Sequence, residues 1–325
     1  MKEFNTPVLL ITFNRPNHTR RVLEAILAVH PKVLYVFQDG AREGNDNDQI
    51  KCADVRDVIQ DLTKDSDVEL HTSFSDRNLG CGPGPVAGIS WFFREVEQGI
   101  VMEDDCLPHP DFFSYCEELL IRYKDVEEVQ FINAALYDER WHCNSSYDFS
   151  RYMVAGAWAS WRRFWENYDI DLKDVNPKLF RRSCKSLLLE RAEVDWWYFK
   201  LIDIQQDSQK KSYWDYQCLI ILFLRSAVTI MPRRNLICNI GFDQEGTHTL
   251  ENNGYGERDT YSIIPLSHPS SIRVDKQRDS YCFAKVRSRG WYMDTLVYLY
   301  QKMRISKGFL SDVLRIYKRV SRLLK

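Results

Sequence analysis

The sequence predicts an open α/β sheet, mostly parallel and flanked by helices. Three observations predict it. Short apolar runs alternate with helical patterns through the first hundred residues, in the order βαβαβαβ. The first run is apolar without interruption, as expected for a strand covered on both faces. Polar clusters then follow the runs at their carboxyl ends, where open α/β sheets bind ligands.

The elements follow in order. Pro7–Phe13 is the first strand, Asn14-Arg15-Pro16-Asn17 a turn, and His18 to about His30 a helix with Val22, Leu23, Ile26 and Leu27 on one side. Val33–Phe37 is the second strand, ending at Gln38-Asp39-Gly40, and a polar helix covers Asp48–Thr63. Val68–Ser73 reads as the third strand. The loop Arg77–Gly84 carries three glycines and leads into a helix through Trp91 and Phe93. Gly99–Met102 is the fourth strand, and it runs into Glu103-Asp104-Asp105.

That acidic triplet is the most informative feature of the chain. Adjacent carboxylates at the end of a buried strand repel one another and lose hydration, unless a cation or a ligand's hydroxyls take up the charge. Mg²⁺ and Mn²⁺ take oxygen ligands, commonly one or two carboxylates plus substrate phosphates. The alternative is a solvated acidic turn, and the polar clusters on the preceding strand ends weigh against it. No GxGxxG follows the first strand, which argues against a dinucleotide fold. Arg15 stands there instead and has the reach for a phosphate. Asp39 has two readings, as a turn residue before Gly40 or as an acceptor for a base N–H or ribose hydroxyl.

Composition sets outer bounds. A net charge of −2 gives no global case for nucleic acid binding. Aromatics at 13% suit sugar- or base-stacking surfaces, although large cores use them too. Nine scattered cysteines include no CxxC pair, so the expectation is free thiols in a reducing, cytosolic compartment. Neither a signal segment nor a membrane-spanning apolar run is legible.

Downstream, Tyr152–Trp161 mixes small residues with two tryptophans. Gly156 and Ala157 allow close backbone approach to a ligand, and Trp158 offers a flat face to a sugar ring; ordinary helix–sheet packing is the other reading. Trp161 reads as core, and Glu193–Trp197 as a surface and core patch on a helix. Asp215 falls at the start of a helix leading into Cys218–Leu224, a place that suits an N-terminal carboxylate and equally a base facing a cleft beside Trp214. Asp195 is the reserve candidate. Pro232–Gly241 reads as a strand, and the polar stretch after it, ending at His248, has the composition of a lid. From Lys302 to Lys325 there are eight Lys or Arg and one acidic residue, with apolar residues at helical spacing. This basic amphipathic helix fits an anionic membrane surface or the protein's own core.

Several of these stretches, in this order, resemble the GT-A nucleotide-sugar transferases, and within them the N-acetylglucosaminyltransferase I-like family. They are Pro7–Arg15, Arg20-Arg21, Gln38-Asp39, Val101–Asp105 with Pro110-Asp-Phe-Phe113, Gly156-Ala-Trp158, Tyr213-Trp-Asp215 and Gly241–His248. The resemblance implies a GT-A domain over residues 1–265, with a nucleotide-binding half (1–106) and an acceptor half (107–265), and a helical region over 266–325. It implies that Arg15 binds the diphosphate, Asp39 the uracil, and Glu103 and Asp104 the ribose and sugar. Asp105 ligates Mn²⁺ or Mg²⁺, and Asp215 is the catalytic base of an inverting transfer. Phe13, Asn14, Arg77, Trp158 and His248 are expected around the donor. The chain departs from the family in the helix before the acidic motif, where Ile89-Ser90-Trp91 stands in place of a basic, His-containing stretch. The expected partners are a UDP-sugar and a glycan or lipid-linked glycan acceptor, with no nucleic acid. Peripheral contact with the inner face of a bacterial membrane through residues 302–325 completes the expectation. A silent nucleotide-sugar or glycan-binding module and a nucleotidyltransferase are the competing classes. The second usually shows a glycine-rich loop with a lysine near the N-terminus, and Ile11–Arg21 contains no lysine.

Overall fold

The computed structural model describes residues 4–136, 144–206, 213–241 and 258–287. The chain divides into two compact units, Met1–Ser280 and Tyr281–Lys325. In the second, the described residues are the last turns of one helix, so the basic segment 302–325 lies outside the described residues.

The first unit is built on an eight-stranded mixed sheet, which bears out the expected open α/β class. Its first half follows the predicted alternation: β1 (Val8–Thr12), α1 (Pro16–Leu27), β2 (Val33–Gln38), α2 (Asp46–Thr63), β3 (Glu69–Phe74), α3 (Pro83–Glu95) and β4 (Gln98–Glu103). The second half adds β5 (Cys106–Pro108), α4 (Asp111–Arg122), β6 (Val129–Asn133), β7 (Tyr147–Ser150), β8 (Ala157–Trp161) and the short α5 (Arg162–Trp165). It continues through α6 (Pro177–Leu187), α7 (Arg191–Gln206), α8 (Asp215–Leu224), β9 (Val228–Pro232), β10 (Ile237–Asn239) and α9, which begins at Lys276. The strand order is β3-β2-β1-β4-β8-β6-β9-β7. Strands β1 to β4 pair in parallel, β8 runs against both β4 and β6, and β7 runs against β9. The order reverses beside β1, because β2 and β3 lie on one side of it and β4 on the other. Such a reversal opens a crevice at the carboxyl ends of the strands.

Both faces of the sheet are buried at its centre, which explains the unbroken apolar run of β1. Val8, Leu10, Leu34, Val36, Ile100 and Met102 pack on one face with Val22, Leu23 and Ile26 of α1. The other face carries a chain of aromatic rings. Tyr35 meets Phe92 at 5.2 Å between centroids, Phe93 meets Trp158 at 6.3 Å, and Trp158 stacks on Phe131 at 4.6 Å. Trp158 also reaches Trp214 at 5.9 Å. Much of the aromatic excess therefore builds core.

Two regions differ from the sequence expectation. Tyr152–Trp161 contains a buried central strand, β8, with Ala157 to Trp161 all buried. Residues 266–275, expected in a helical region, run instead beside β7: the Ser146 N–H donates to the Ser267 carbonyl at 2.9 Å, and Phe149 bridges to Val274. The first unit accordingly extends past the expected boundary at residue 265 to Ser280.

Candidate functional site

A cleft of about 550 Å³ opens at the carboxyl ends of β1, β2 and β4. It is lined by the β1 tip (Thr12 to Arg15), the β2 tip with Asp39 and Arg42, the loop with Asn78, Gly80 and Cys81, and the acidic triplet after β4. Tyr213, Trp214 and Asp215 border it from α8, and Asn239 and Gly241 from the end of β10.

Local structure sets each group. Pro16 begins α1 and holds φ for the first turn, so the chain leaves β1 at Arg15 and the Arg15 carbonyl accepts from Thr19 N–H at 2.9 Å. The Arg15 guanidinium crosses to the β4 tip and pairs with both Asp104 and Asp105, the latter at 3.1 Å. The backbone of β10 closes over this pair. Ile240 N–H donates to the Asp105 carbonyl at 2.8 Å, and a Cβ on Gly241 would stand 2.5 Å from Asp105 Oδ2 and 3.0 Å from Arg15 Nη1. Only glycine fits there without a shift. On the other side, Glu103 N–H donates to the Gly156 carbonyl at 2.7 Å. Gly156, with φ near +105°, thus serves the packing of β8 onto the β4 tip.

The electrostatics are unbalanced. Five carboxylates line the cleft (Asp39, Glu103, Asp104, Asp105 and Asp215), against the guanidinium groups of Arg15 and Arg42. Burial pushes the Glu103 carboxyl up to about 8, and Asp105, Asp104 and Asp215 reinforce the shift, while Arg15 opposes it. Asp104 is shifted upward too, chiefly by burial, with Arg15 pulling back. Burial works against the charge on Arg15, but the two aspartates more than offset it and its pKa is raised. One atom stays unsatisfied: Asp104 Oδ2 is buried with no hydrogen-bond partner.

These residues fit a divalent cation. Among the described residues no group of three or more His, Cys, Asp or Glu side chains is set to hold a metal by itself. Mg²⁺ and Mn²⁺ bound with a nucleotide ordinarily draw one or two carboxylates from the protein and the rest from phosphates and water. The surplus of negative charge and the orphaned Asp104 oxygen match that arrangement.

The remaining expected site residues divide. Asp215 is the first residue of α8 and lines the cleft, beside Trp214. Phe13 and Asn14 line it also, and the Asn14 amide donates to Asp48 at 2.8 Å. Asp39 lines it too but is already occupied. Its carboxylate accepts from the N–H groups of Gly40 (2.9 Å), Leu79 (2.8 Å) and Gly80 (3.0 Å) and from the Asn78 amide (3.1 Å). Arg77 is exposed and does not line the cleft; its carbonyl accepts from Ser75. Trp158 requires a correction. It is 0% exposed between Phe131, Phe93 and Trp214, so it offers no face to a sugar, and the tryptophan bordering the cleft is Trp214. His248 lies outside the described residues. Trp161 is core, as read, and Glu193 is buried against the Tyr152 hydroxyl. Asp195 pairs with Arg181 and is absent from the cleft lining.

Sequence reading missed Arg42 and Asn239. The available signal for Arg42 was its place in the loop after the second strand tip. Asn239 had none, because its position depends on the antiparallel pairing of β10 with β5, where Asn239 stands opposite Cys106.

No family model matches the chain, and no curated protein sequence is similar to it. Solved structures give distant likenesses. One is to apo UDP-glucose pyrophosphorylase, with 11% identity over 71% of this chain and 92% of that one and a TM-score of 0.36. Another is to mouse xyloside xylosyltransferase 1 in its apo form, with 12% identity over 67% and 81% and a TM-score of 0.33. A third is to HddC from Yersinia pseudotuberculosis, with 12% identity over 50% and 80% and a TM-score of 0.29. Likeness at this level carries no argument about what this chain does. The functional case rests on the cleft and the motifs that line it. Among the described residues no helix is long and apolar enough to cross a membrane.

Proposed function

We propose that this chain is a metal-dependent glycosyltransferase that moves a sugar from a UDP-sugar to a hydroxyl of a glycan acceptor, with inversion at the anomeric carbon. The observation that carries the reading is the convergence on one cleft of Arg15, Glu103, Asp104, Asp105 and Asp215, from three elements far apart in the chain. An acidic seat for a diphosphate and a separate carboxylate for proton transfer are what such a reaction needs. UDP as the nucleotide and GlcNAc or a related sugar as the cargo follow from the family resemblance, as does a place in bacterial surface polysaccharide or glycolipid assembly.

In this reading Asp105, with Asp104 beside it, holds Mn²⁺ or Mg²⁺ against the diphosphate, and the ion when bound neutralises charge on the leaving group. Arg15 is poised to turn from the aspartates to a phosphate oxygen once a cation shares their charge. Glu103 and Asp104 face the ribose and sugar hydroxyls. Asp215 accepts the proton of the attacking hydroxyl. Trp214 supplies the apolar wall beside it.

Nucleotidyl transfer would use a similar acidic seat. The glycosyltransferase reading is preferred on Asp215, a carboxylate that borders the same cleft apart from the acidic triplet. It can take the proton of an attacking hydroxyl, a step that attack by a sugar phosphate on a nucleoside triphosphate does not need. A screen of nucleotide-sugar hydrolysis by the purified protein with Mn²⁺ tests it. UDP release from one UDP-sugar is expected, and Asp215→Asn should bind UDP normally yet lose that turnover. Synthesis of a nucleotide-sugar from a nucleoside triphosphate would instead establish the nucleotidyltransferase. Binding without turnover would establish a silent module.

A further inference from the structure

Of the described residues lining the cleft, Arg15 and Arg42 are the two cationic ones, and they are held in different ways. Arg15 is committed to the acidic tip of β4. Arg42 enters from the loop after β2, with Nη2 donating to Asp48 Oδ1 at 2.8 Å and Nε donating to Oδ2. Its guanidinium carbon lies 5.7 Å from the centroid of the Phe13 ring.

Asp48 is built to hold it. Its side chain is 1% exposed; the Asn14 amide donates to it at 2.8 Å, and its own N–H donates to Asn45 Oδ1 at 3.0 Å. The Arg42 side chain remains 53% exposed. A guanidinium carries more N–H donors than one carboxylate consumes, and it lies flat on aromatic faces. A buried carboxylate thus fixes a planar, donor-rich group over an aromatic ring at the cleft wall.

Strand order says which end of a nucleotide would meet it. The acidic seat is at β4, while Phe13 and Arg42 belong to the β1 and β2 tips, on the other side of the order. A diphosphate at β4 therefore directs its nucleoside toward Phe13 and Arg42. Asp39, on the same side, offers little. A carboxylate has about four acceptor positions, and protein donors already occupy that number on Asp39.

We propose that Arg42, oriented by Asp48 over the ring of Phe13, recognises the nucleobase of the donor, and that Asp39 is the clasp that holds the loop beside it. This rests on the reading of the cleft as a nucleoside-diphosphate site. The chemistry selects a flat base with carbonyl oxygens, which accept from the N–H groups that Asp48 leaves over. Uracil meets both conditions; adenine lacks the carbonyl. Asp48 is a positioning residue, because it acts through Arg42.

The test is calorimetry on the full chain with two probes, UDP and inorganic pyrophosphate, each with Mn²⁺. Arg42→Met should weaken UDP about tenfold, the scale of a lost hydrogen bond from a charged donor, and leave pyrophosphate within about twofold. Retained pyrophosphate binding also shows that the variant folds. Asp48→Asn should reproduce most of the loss for UDP alone, and Arg42→Lys, which keeps the charge without the fork, should fail to restore it. Unchanged UDP affinity in Arg42→Met overturns the proposal. So does an equal loss for both probes, which would make Arg42 a phosphate contact, or full rescue by lysine. A wild type that binds pyrophosphate with Mn²⁺ but gains nothing from the nucleoside overturns the base reading and leaves the diphosphate seat standing. One that binds neither overturns the functional reading beneath it as well.

Discussion

Two of the places where the described residues bury carboxylates treat them oppositely. At the β7 edge, Asp279 accepts from the Ser150 hydroxyl and the Arg151 N–H, both at 2.7 Å, and lies 3.8 Å from Arg278 Nε. Arg278 in turn binds the Phe149 carbonyl, which ties α9 to the strand. At the β4 tip, three consecutive acidic groups crowd one arginine, Asp104 and Asp105 both pair with Arg15, Asp215 adds a fourth carboxyl, and Asp104 Oδ2 has no partner. A buried charge with its partners present is architecture. A buried surplus of charge is a receptor for something that arrives later, and the fold bears its cost meanwhile.

This contrast can be broken by experiment. The largest expected effect is on stability at the β7 edge. Asp279→Ala should cost about 3 kcal/mol in denaturant unfolding, because it strands a buried arginine and a hydroxyl. Asp105→Asn should move stability by less than about 1 kcal/mol, since it also relieves repulsion within the triplet. Equal losses would erase the distinction between the two regions.

The next effect is on pH dependence without metal. The folded-state pKa of Glu103, about 8, lies above its ordinary value of 4.5, so the folded chain holds this proton more tightly than the unfolded one. Its contribution is complete below about pH 4.5 and is lost as pH rises to about 8, with a slope of up to ~1.4 kcal/mol per pH unit. Glu193, pushed up to about 7 by burial, slopes the same way over a shorter range. Across about pH 5 to 8, Glu103→Gln should therefore flatten the decline in stability by more than Glu193→Gln does. The reverse pattern would place the strained carboxyl at the wrong end of the molecule.

The smallest effect sharpens the cleft wall. Asn45 caps α2 by accepting from Asp48 N–H. Asn45→Ala should cost about 1 kcal/mol of stability. It should also weaken UDP slightly, as Asp48 loses one of its supports. A stability loss with UDP affinity unchanged would show that the Asp48 carboxylate needs no help from the cap.

The same two regions explain what was legible in sequence. Strands β1 to β4 announce themselves because each alternates with a helix and is followed by a polar tip, and β1, β2 and β4 are covered on both faces besides, so Arg15, Asp39 and the triplet could be named from spacing. Asp215 could be named from its neighbours Tyr213 and Trp214. Trp158 could not be placed, because an exposed platform and a buried strand share the same small-and-aromatic composition. Its burial depends on β8 inserting between β4 and β6, a pairing across tens of residues. The saturation of Asp39 was equally hidden: its donors come from the loop at 78–80, about forty residues downstream. Residues 266–275 lie beside β7 through similarly distant contacts.

The central claim is that the β4 tip seats a metal–diphosphate complex, and UDP calorimetry with and without Mn²⁺ tests it most directly. Wild type should gain at least about tenfold in UDP affinity from Mn²⁺, a difference of ~1.4 kcal/mol, and Asp105→Ala should lose that gain. An Asp105→Ala variant that keeps the full Mn²⁺-dependent affinity would contradict the account.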